Sequence, residues 1–360
     1  MAKTIMMMAG GTGGHIYPAL AVAKELQRKG YNILWLGSEG GMEQELVPRE
    51  GIELEKLPIS GLRGKGAVSL LVAPFKLLQS ILLSINILRK YKVDLSAGFG
   101  GFASGPGGIA TVLTMRPLLI HEQNAVAGMT NKVLAKFANT VCQAFDGAFL
   151  KNNKLFTTGN PIRQELLQVA GQKHYDLVRL KSNLNVLIIG GSRGARSLNQ
   201  QLPGQLKELV KSRKISVVHQ TGLGNQDAVL KSYQHIENVE VFDYLHDIDT
   251  YYKWADLIIC RAGALTVSEV AALGLPAIFI PYPYAVDDHQ TQNAKTLVKV
   301  GAAMMIEDKA IDQVRGILEG LISHPEKIVD MSKSSQKVAI DNATNIIADN
   351  CIKLVEKASS

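Results

Sequence analysis

Cysteine is scarce. The three residues, Cys142, Cys260 and Cys351, are far apart and odd in number. That excludes a disulfide framework and a cysteine metal site, so they read as reduced core thiols of a cytosolic protein. A secretory signature is missing too: Lys3 is followed by a short apolar run and then by glycines. Nowhere do about 20 uncharged apolar residues run together, so no transmembrane helix is expected. The chain is expected to stay in solution or to lie on a membrane surface. Several chemistries lack their motifs: there is no nucleophile elbow, zinc pattern or phosphate-loop lysine. Gly98-Phe99-Gly100-Gly101-Phe102-Ala103 fails the dinucleotide fingerprint. Its sixth place is Ala, which weakens a hydride-transfer reading. Asp247-Ile248-Asp249 has the spacing of a metal-binding pair but lacks a third ligand. It reads as the cap of a helix beginning near Asp249. That pair is therefore discounted as a metal site, and no motif in the chain calls for a cofactor.

What is present is enough to build cores. Hydrophobic residues make up 46% and charged residues 20% of 360 positions. At about 150 residues per domain the length suggests two domains. The formal net charge of +7 suits an anionic partner: nucleic acid, a nucleotide phosphate or acidic lipid.

The chain is organised around Gly10-Gly11-Thr12-Gly13-Gly14-His15. The apolar run Ile5-Met6-Met7-Met8 precedes it and a helical pattern from Ile16 follows. Strand, glycine turn and helix open a βα unit suited to an anion or polar ligand, with His15 on the last residue of the turn. The device returns at Gly190-Gly191-Ser192-Arg193-Gly194, after the apolar run 184–189 and before a helix from Ser197. This weak duplication predicts two Rossmann-like halves. Strands alternate with helices throughout, which argues for parallel sheets with every strand C-terminus on one edge. A second glycine turn, Gly98 to Gly108, and the polar cluster His121-Glu122-Gln123-Asn124 also follow strands, where open α/β sheets place ligand groups. Gly159-Asn160-Pro161-Ile162-Arg163 looks like a linker. Pro276 to Pro281 reads as the last strong strand, and the C-terminal part as helical and polar.

Candidate site residues each carry two readings. His15 is either a general base or a histidine that hydrogen-bonds the turn or a substrate. Glu269 either takes two ribose hydroxyls or forms a capping box with Thr266. Arg163 and Ser192 are candidate phosphate ligands, although Arg163 equally fits a surface charge. Residues 68–90 form a long helical pattern, apolar on more than one face, with Pro74 marking an early turn or kink. Arg63, Lys65, Lys76, Arg89, Lys90 and Lys92 flank it. It is either an ordinary core helix or a part-exposed apolar face with a basic rim that docks on anionic lipid.

With these motifs in order and at their spacing, the chain resembles the MurG family over nearly its whole length. The resemblance rests on Gly10 to His15, His121 to Asn124, Gly159 to Arg163, Gly190 to Ala195 and Arg261 to Glu269. It implies an α/β GT-B fold: two Rossmann-like domains with parallel sheets facing across a cleft. It implies an N-terminal acceptor and membrane-docking domain at 1–161, with a C-terminal helix of about 340–360 packing back on it. A UDP-GlcNAc-binding domain would occupy 162–339. The implied reaction is an inverting, metal-independent transfer of GlcNAc from UDP-GlcNAc to the lipid-linked acceptor lipid I, giving lipid II for peptidoglycan. By family position Glu269 would take the ribose, and Ser192 and Arg163 would lie at the diphosphate with the amides of Ala264, Leu265 and Thr266. Val267 and Ser268 continue that motif. Leu245 would pack at the uracil, and Gln290 and Asn124 would contact the GlcNAc. Thr12, Gly13 and Gly14 would line the acceptor side, with His15 as the leading base. His289 stands where the family often has the first of two glutamines. The implied partners are UDP-GlcNAc, lipid I and an anionic membrane surface met by residues 63–90. Other cell-wall synthesis proteins are admitted and nucleic acid is not. The implied place is the cytoplasmic face of the bacterial membrane, held peripherally. Two rivals remain: a related GT-B transferase with another lipid or small-molecule acceptor, and a non-enzymatic binding module that recruits a partner to the membrane, against which His15, Glu269 and Arg163 together argue.

Overall fold

The structure is a computed structural model that describes residues 2–59, 67–170, 173–191, 194–234 and 236–359. Arg63, Lys65 and Ser192 lie outside the described residues. The chain divides into two units, Met1–Arg163 with Ile340–Ser360, and Gln164–Ala339.

The first unit runs β1 (Thr4–Met8), α1 (Gly13–Arg28), β2 (Asn32–Ser38), α2 (Glu43–Arg49), β3 (Glu53–Leu57), α3 (Ala67–Lys90), β4 (Leu95–Gly98), α4 (Ser104–Leu113), β5 (Leu118–Glu122), α5 (Met129–Leu134), β6 (Thr140–Gln143) and β7 (Leu155–Thr157). Among the described residues its strands form one parallel sheet in the order β3-β2-β1-β4-β5-β6-β7. Helices on both faces bury it, which is why β1 is an unbroken apolar run rather than an alternating one. Met6 and Met8 pack on one face with Leu88 and Leu134. Ile5 and Met7 pack on the other with Leu26 and the helix that ends the chain.

The second unit runs α6 (Gln164–Val169), α7 (Leu177–Ser182), β8 (Leu184–Ile189), α8 (Arg196–Lys211), β9 (Ile215–Gln220), α9 (Gln226–Ser232), β10 (Val239–Phe242), α10 (Ile248–Trp254), β11 (Leu257–Cys260), α11 (Ala264–Leu273), β12 (Ala277–Phe279), α12 (His289–Val298), β13 (Ala303–Met305), α13 (Val314–Ser323) and α14 (Glu326–Gln336). Its described strands form a parallel sheet in the order β10-β9-β8-β11-β12-β13. The two sheets thus share one winding: out to one edge, back past the first strand, and on to the other edge. After α14 the chain re-enters the first unit as α15 (Ala343–Ser359). Ile347, Ala348, Cys351 and Val355 of α15 join the core with Ile16, Ala19 and Ala23 of α1.

Several sequence expectations are corrected. β13 was missed, because Ala303-Met304-Met305 is short and has no β-branched residue. Helix α1 begins at Gly13, so His15 belongs to its first turn rather than to the glycine turn. Gly159 and Asn160 are buried in the first unit rather than serving as a loose linker. Helix α3 runs through Pro74 as one helix. Its segment Val72–Lys90 is, by length and composition only, long and apolar enough to cross a membrane, although Lys76, Arg89 and Lys90 interrupt it. The same helix packs on α4 and β3, and Ser80, Ser84 and Leu88 are fully buried. All three cysteines are free and buried, and burial pushes the Cys142 thiol up to about 12.

Candidate active site

In each sheet the winding reverses beside the first strand, between β1 and β4 and between β8 and β11. Open α/β sheets bind ligands just beyond the strand ends at such a point. The glycine turns fall there.

In the first unit the two turns touch. Gly101 sits at φ +88°, and a Cβ on it would lie 2.4 Å from the Gly10 carbonyl oxygen. Only glycine lets the backbone of the β4–α4 turn rest on that of the β1–α1 turn. His15 is half-buried against this pair. A Cβ on Gly100 would be 3.1 Å from its Cδ2, and Nδ1 lies 3.3 Å from the Gly10 carbonyl oxygen. A carbonyl only accepts, so this pairing selects the tautomer in which Nδ1 donates. Thr12 and Gly14 are exposed beside it, and Gly13 is half-buried.

Behind the turn lies Glu43, fully buried at the start of α2. Its Oε2 accepts from the Gly11 amide at 3.0 Å. Its Oε1 accepts from the Ser38 amide and the Ser38 hydroxyl, both at 2.8 Å.

The cluster at the end of β5 is wiring rather than a row of ligand groups. His121, Glu122 and Gln123 are buried, and only Asn124 is half-exposed. His121 Nε2 donates to the Gly159 carbonyl at 3.0 Å, and the Gln123 amide donates to Nδ1 at 3.2 Å. Burial holds this imidazole down to about 4. Glu122 accepts from the Asn124 backbone and side-chain amides, from Gly128 and from Asn131. Asn124 is thereby aimed by a buried carboxylate.

In the second unit the Gly11 arrangement recurs with one change. Gly191, at φ +83°, donates its amide to Gln220 Oε1 at 3.0 Å. The Gln220 amide returns a bond to the Gly191 carbonyl at 3.1 Å. A neutral amide thus stands where the first unit has a carboxylate.

Helix α11 begins at Ala264 with Gly263 as its N-cap. Thr266 is inside the helix, so the capping box with Glu269 does not form. Instead Glu269 is buried, and its Oε2 accepts from the hydroxyl of Tyr252 on α10 at 3.0 Å. Leu265, Thr266 and Ser268 are half-buried, whereas Ala264 and Val267 are buried, Val267 completely. The first-turn amides of α11 face outward from a helix N-terminus, the polarity that favours an anion. Asp247 occupies the N-cap of α10 without a side-chain capping bond. Leu245, just before it, is buried. Gln290 is the second residue of α12, and its Oε1 accepts from the Tyr282 amide at 2.9 Å. Its neighbour His289 instead donates Nδ1 to the Val286 carbonyl at 2.6 Å. Arg261 is held in the frame: its guanidinium meets Asp308 at 2.6 Å, Ser197 at 2.7 Å and the Ile280 carbonyl at 2.9 Å. Arg163 is exposed at the end of the first unit.

Comparison with known proteins separates fold from family. The model of the glycosyltransferase family 28 N-terminal domain matches residues 5–143, and that of the C-terminal domain matches residues 185–348. A UDP-N-acetylglucosamine–N-acetylmuramyl-(pentapeptide) pyrophosphoryl-undecaprenol N-acetylglucosamine transferase from Shewanella piezotolerans is 45% identical, over 99% of this chain and 98% of its own. The crystal structure of Acinetobacter baumannii MurG is 39% identical, covers 98% of this chain and 99% of its own, and has a TM-score of 0.82. The chain belongs to the MurG family. A UDP-GlcNAc 2-epimerase from Neisseria meningitidis has a TM-score of 0.69 at 14% identity, over 98% of this chain and all of its own. It shares the fold alone, so the two-sheet architecture by itself would not separate a MurG-family transferase from an epimerase.

Four residues that hold these turns and side chains in place were not singled out from the sequence: Glu43, Gln220, Tyr252 and Asn131. Each acts on a distant backbone amide or side chain. The one available signal was for Glu43, an acidic residue on the first turn of a short helix just after a glycine pair.

Proposed function

We propose that the chain is an inverting glycosyltransferase that moves GlcNAc from UDP-GlcNAc to undecaprenyl-pyrophosphoryl-MurNAc-pentapeptide, lipid I, forming lipid II. The observation that carries this reading is end-to-end identity of 45% with a relative named for that transfer. In this reading a sugar hydroxyl of the acceptor attacks the anomeric carbon of GlcNAc. The bond from that carbon to the diphosphate oxygen breaks, and its electron pair leaves with UDP. The hydroxyl proton passes to His15 Nε2, the nitrogen that the Gly10 carbonyl leaves basic.

Electrostatics favour the second unit for the donor. An anion at the first glycine turn would meet the Glu43 carboxylate behind it. At about 6 Å and an effective dielectric of about 20, two unit charges repel by about 3 kcal/mol. An exposed helix N-terminus returns only about 0.3–1 kcal/mol. The turn at Gly191 has the neutral Gln220 in that position. There the first-turn amides of α11, with Ser192 and Arg163, would stabilise the charge that grows on UDP. Glu269, steadied by Tyr252, would take the ribose hydroxyls, Leu245 would lie at the uracil, and Gln290 and Asn124 would meet the GlcNAc. Thr12, Gly13 and Gly14 would line the acceptor side.

The chain would work peripherally at the cytoplasmic face of the membrane. Phe75, Leu78 and Leu82 lie on one side of α3 and are 74%, 56% and 55% exposed, with Lys76 and Arg89 exposed on the same helix. That is a face suited to anionic lipid.

The test is transfer of radiolabelled GlcNAc from UDP-GlcNAc to a lipid I analogue in the presence of EDTA, for wild type and His15→Ala. Transfer by wild type, and loss of about 100-fold or more in His15→Ala with UDP binding intact, is the expected result. Near-normal turnover in His15→Ala would remove the base role. No transfer by a wild type that still binds UDP-GlcNAc would mean a different acceptor.

A further inference from the structure

We infer that Glu43 is a positioning residue for His15, acting through the Gly10–Gly11 peptide group. The inference rests on the reading of His15 as base and adds the element that orients it. The two hydrogen bonds converge on one amide plane. The Gly11 N–H donates to Glu43 Oε2 at 3.0 Å, and the Gly10 C=O accepts from His15 Nδ1–H at 3.3 Å. Gly10 C=O and Gly11 N–H are the two ends of the same peptide bond.

A peptide whose N–H is given to a carboxylate becomes a better acceptor at its oxygen, because each bond polarises the next. The carboxylate therefore strengthens the bond that fixes the imidazole, selects the Nδ1–H tautomer and leaves Nε2 as the base. When Nε2 takes a proton, the imidazolium faces a carbonyl already polarised toward it. The arrangement does the work of a carboxylate bonded directly to a histidine, with one peptide group between them.

Glu43 is built for this and for little else. It is fully buried. Its three described partners, the Gly11 amide, the Ser38 amide and the Ser38 hydroxyl, all donate. An acceptor-only site of this kind fits the ionised carboxylate. The chain is cleared around it: a Cβ on Gly10, Gly37 or Gly41 would come within 2.5, 2.7 and 2.1 Å of its side chain. The second unit provides the contrast. Its equivalent turn is held by the neutral amide of Gln220, and the residue in sequence register with His15 there, Ala195, is not a base. Holding a turn in shape thus needs no charge; a charge is present where a histidine leans on the turn.

The test is Glu43→Gln, which keeps the volume but offers one acceptor oxygen where the carboxylate has two. We expect kcat to fall about tenfold, a fraction of what a general base contributes. KM for UDP-GlcNAc and for the lipid I analogue should stay within about twofold, since neither substrate touches Glu43. The second measurement is the ring nitrogen spectrum of His15 in 15N-histidine-labelled protein, assigned by the signal lost in His15→Gln. Neutral wild type should show the Nδ1–H tautomer, and Glu43→Gln should show a mixture. An Nε2–H tautomer in the wild type would overturn the inference even if Glu43→Gln fails to fold. So would a folded Glu43→Gln with unchanged kcat. The tautomer is read without turnover, so it stands apart from the fate of the base role, which His15→Ala decides.

Discussion

Gly101→Ala should be among the most damaging small substitutions in the first unit. Its φ of +88° costs an L residue about 1–2 kcal/mol. The added carbon would also press on the Gly10 carbonyl, moving the turn on which His15 leans. Gly30→Ala is the control. Gly30 has φ +89°, but a Cβ there meets nothing within 4 Å. Urea unfolding should give Gly30→Ala the conformational cost alone. Gly101→Ala should cost clearly more and lose transfer activity; equal costs would mean the two turns are not packed as described. In the second unit, Tyr252→Phe removes the hydroxyl that holds Glu269. KM for UDP-GlcNAc should rise about two- to tenfold, the worth of one hydrogen bond of about 0.5–1.5 kcal/mol, with kcat little changed. An unmoved KM would take Glu269 out of the ribose role. His15 and Glu269 were legible in the sequence because glycine turns announce themselves locally. Glu43 and Gln220 were not, because each meets its glycine amide across 32 or 29 positions, on a different element. Nothing in a run of residues records that encounter.

Among elements, α3 is where sequence pattern and structure part most clearly. Its apolar residues cover more than one side, so hydropathy alone does not say which side is inside. The fold turns Ser80 and Ser84 inward and leaves Phe75, Leu78 and Leu82 in solvent. Its neighbour α4 is built of Ser104-Gly105-Pro106-Gly107-Gly108, and helix separation follows the size of the side chains at the contact. Small residues on both sides suit a close pair. Replacing Phe75, Leu78 and Leu82 together by Ser should therefore leave unfolding free energy within about 1 kcal/mol, since these side chains are not core. Binding to vesicles containing anionic lipid should fall at least about tenfold in a sedimentation assay, from the apolar area withdrawn. Ser84→Leu should do the reverse, costing about 1–3 kcal/mol of stability by overpacking the inner side. If the triple variant binds vesicles as well as wild type, the membrane face is elsewhere. The parallel strands other than β13, by contrast, were readable from the sequence. The central ones, such as β1 and β11, are short apolar runs because both faces are buried, whereas the edge strand β3, Glu53-Leu54-Glu55-Lys56-Leu57, mixes charged and apolar residues and is partly exposed.

At the scale of the whole molecule the two units share a device that makes stability depend on pH. Among the described residues, each encloses one fully buried, neutral histidine. His121 donates to the Gly159 carbonyl and accepts from Gln123. His219 bonds the Tyr233 hydroxyl at 3.1 Å and Asn199 Oδ1 at 3.2 Å. Burial lowers the first from 6.5 to about 4 and the second to about 3. Above pH 6.5 both are neutral in the folded and unfolded chain alike, and neither affects the balance. As pH falls below 6.5 the unfolded chain takes up protons that the folded chain refuses. Unfolding is then favoured by up to about 1.4 kcal/mol per pH unit for each histidine, until the folded forms protonate near about 4 and about 3. Carboxylates held below their ordinary range, such as Glu55 beside Tyr91 and Asp243 beneath the Gly224 amide, add their own loss only from about pH 4.5 downward. The window between pH 6.5 and 5 therefore isolates the histidines. Urea unfolding across it should show free energy falling with pH, and His219→Phe, which cannot take a proton, should flatten the slope by about one histidine's share. A profile flat from pH 6.5 to 5 in the wild type would mean that these imidazoles are protonated in the folded chain, and that the neutral networks around Gly159 and Tyr233 do not hold as described.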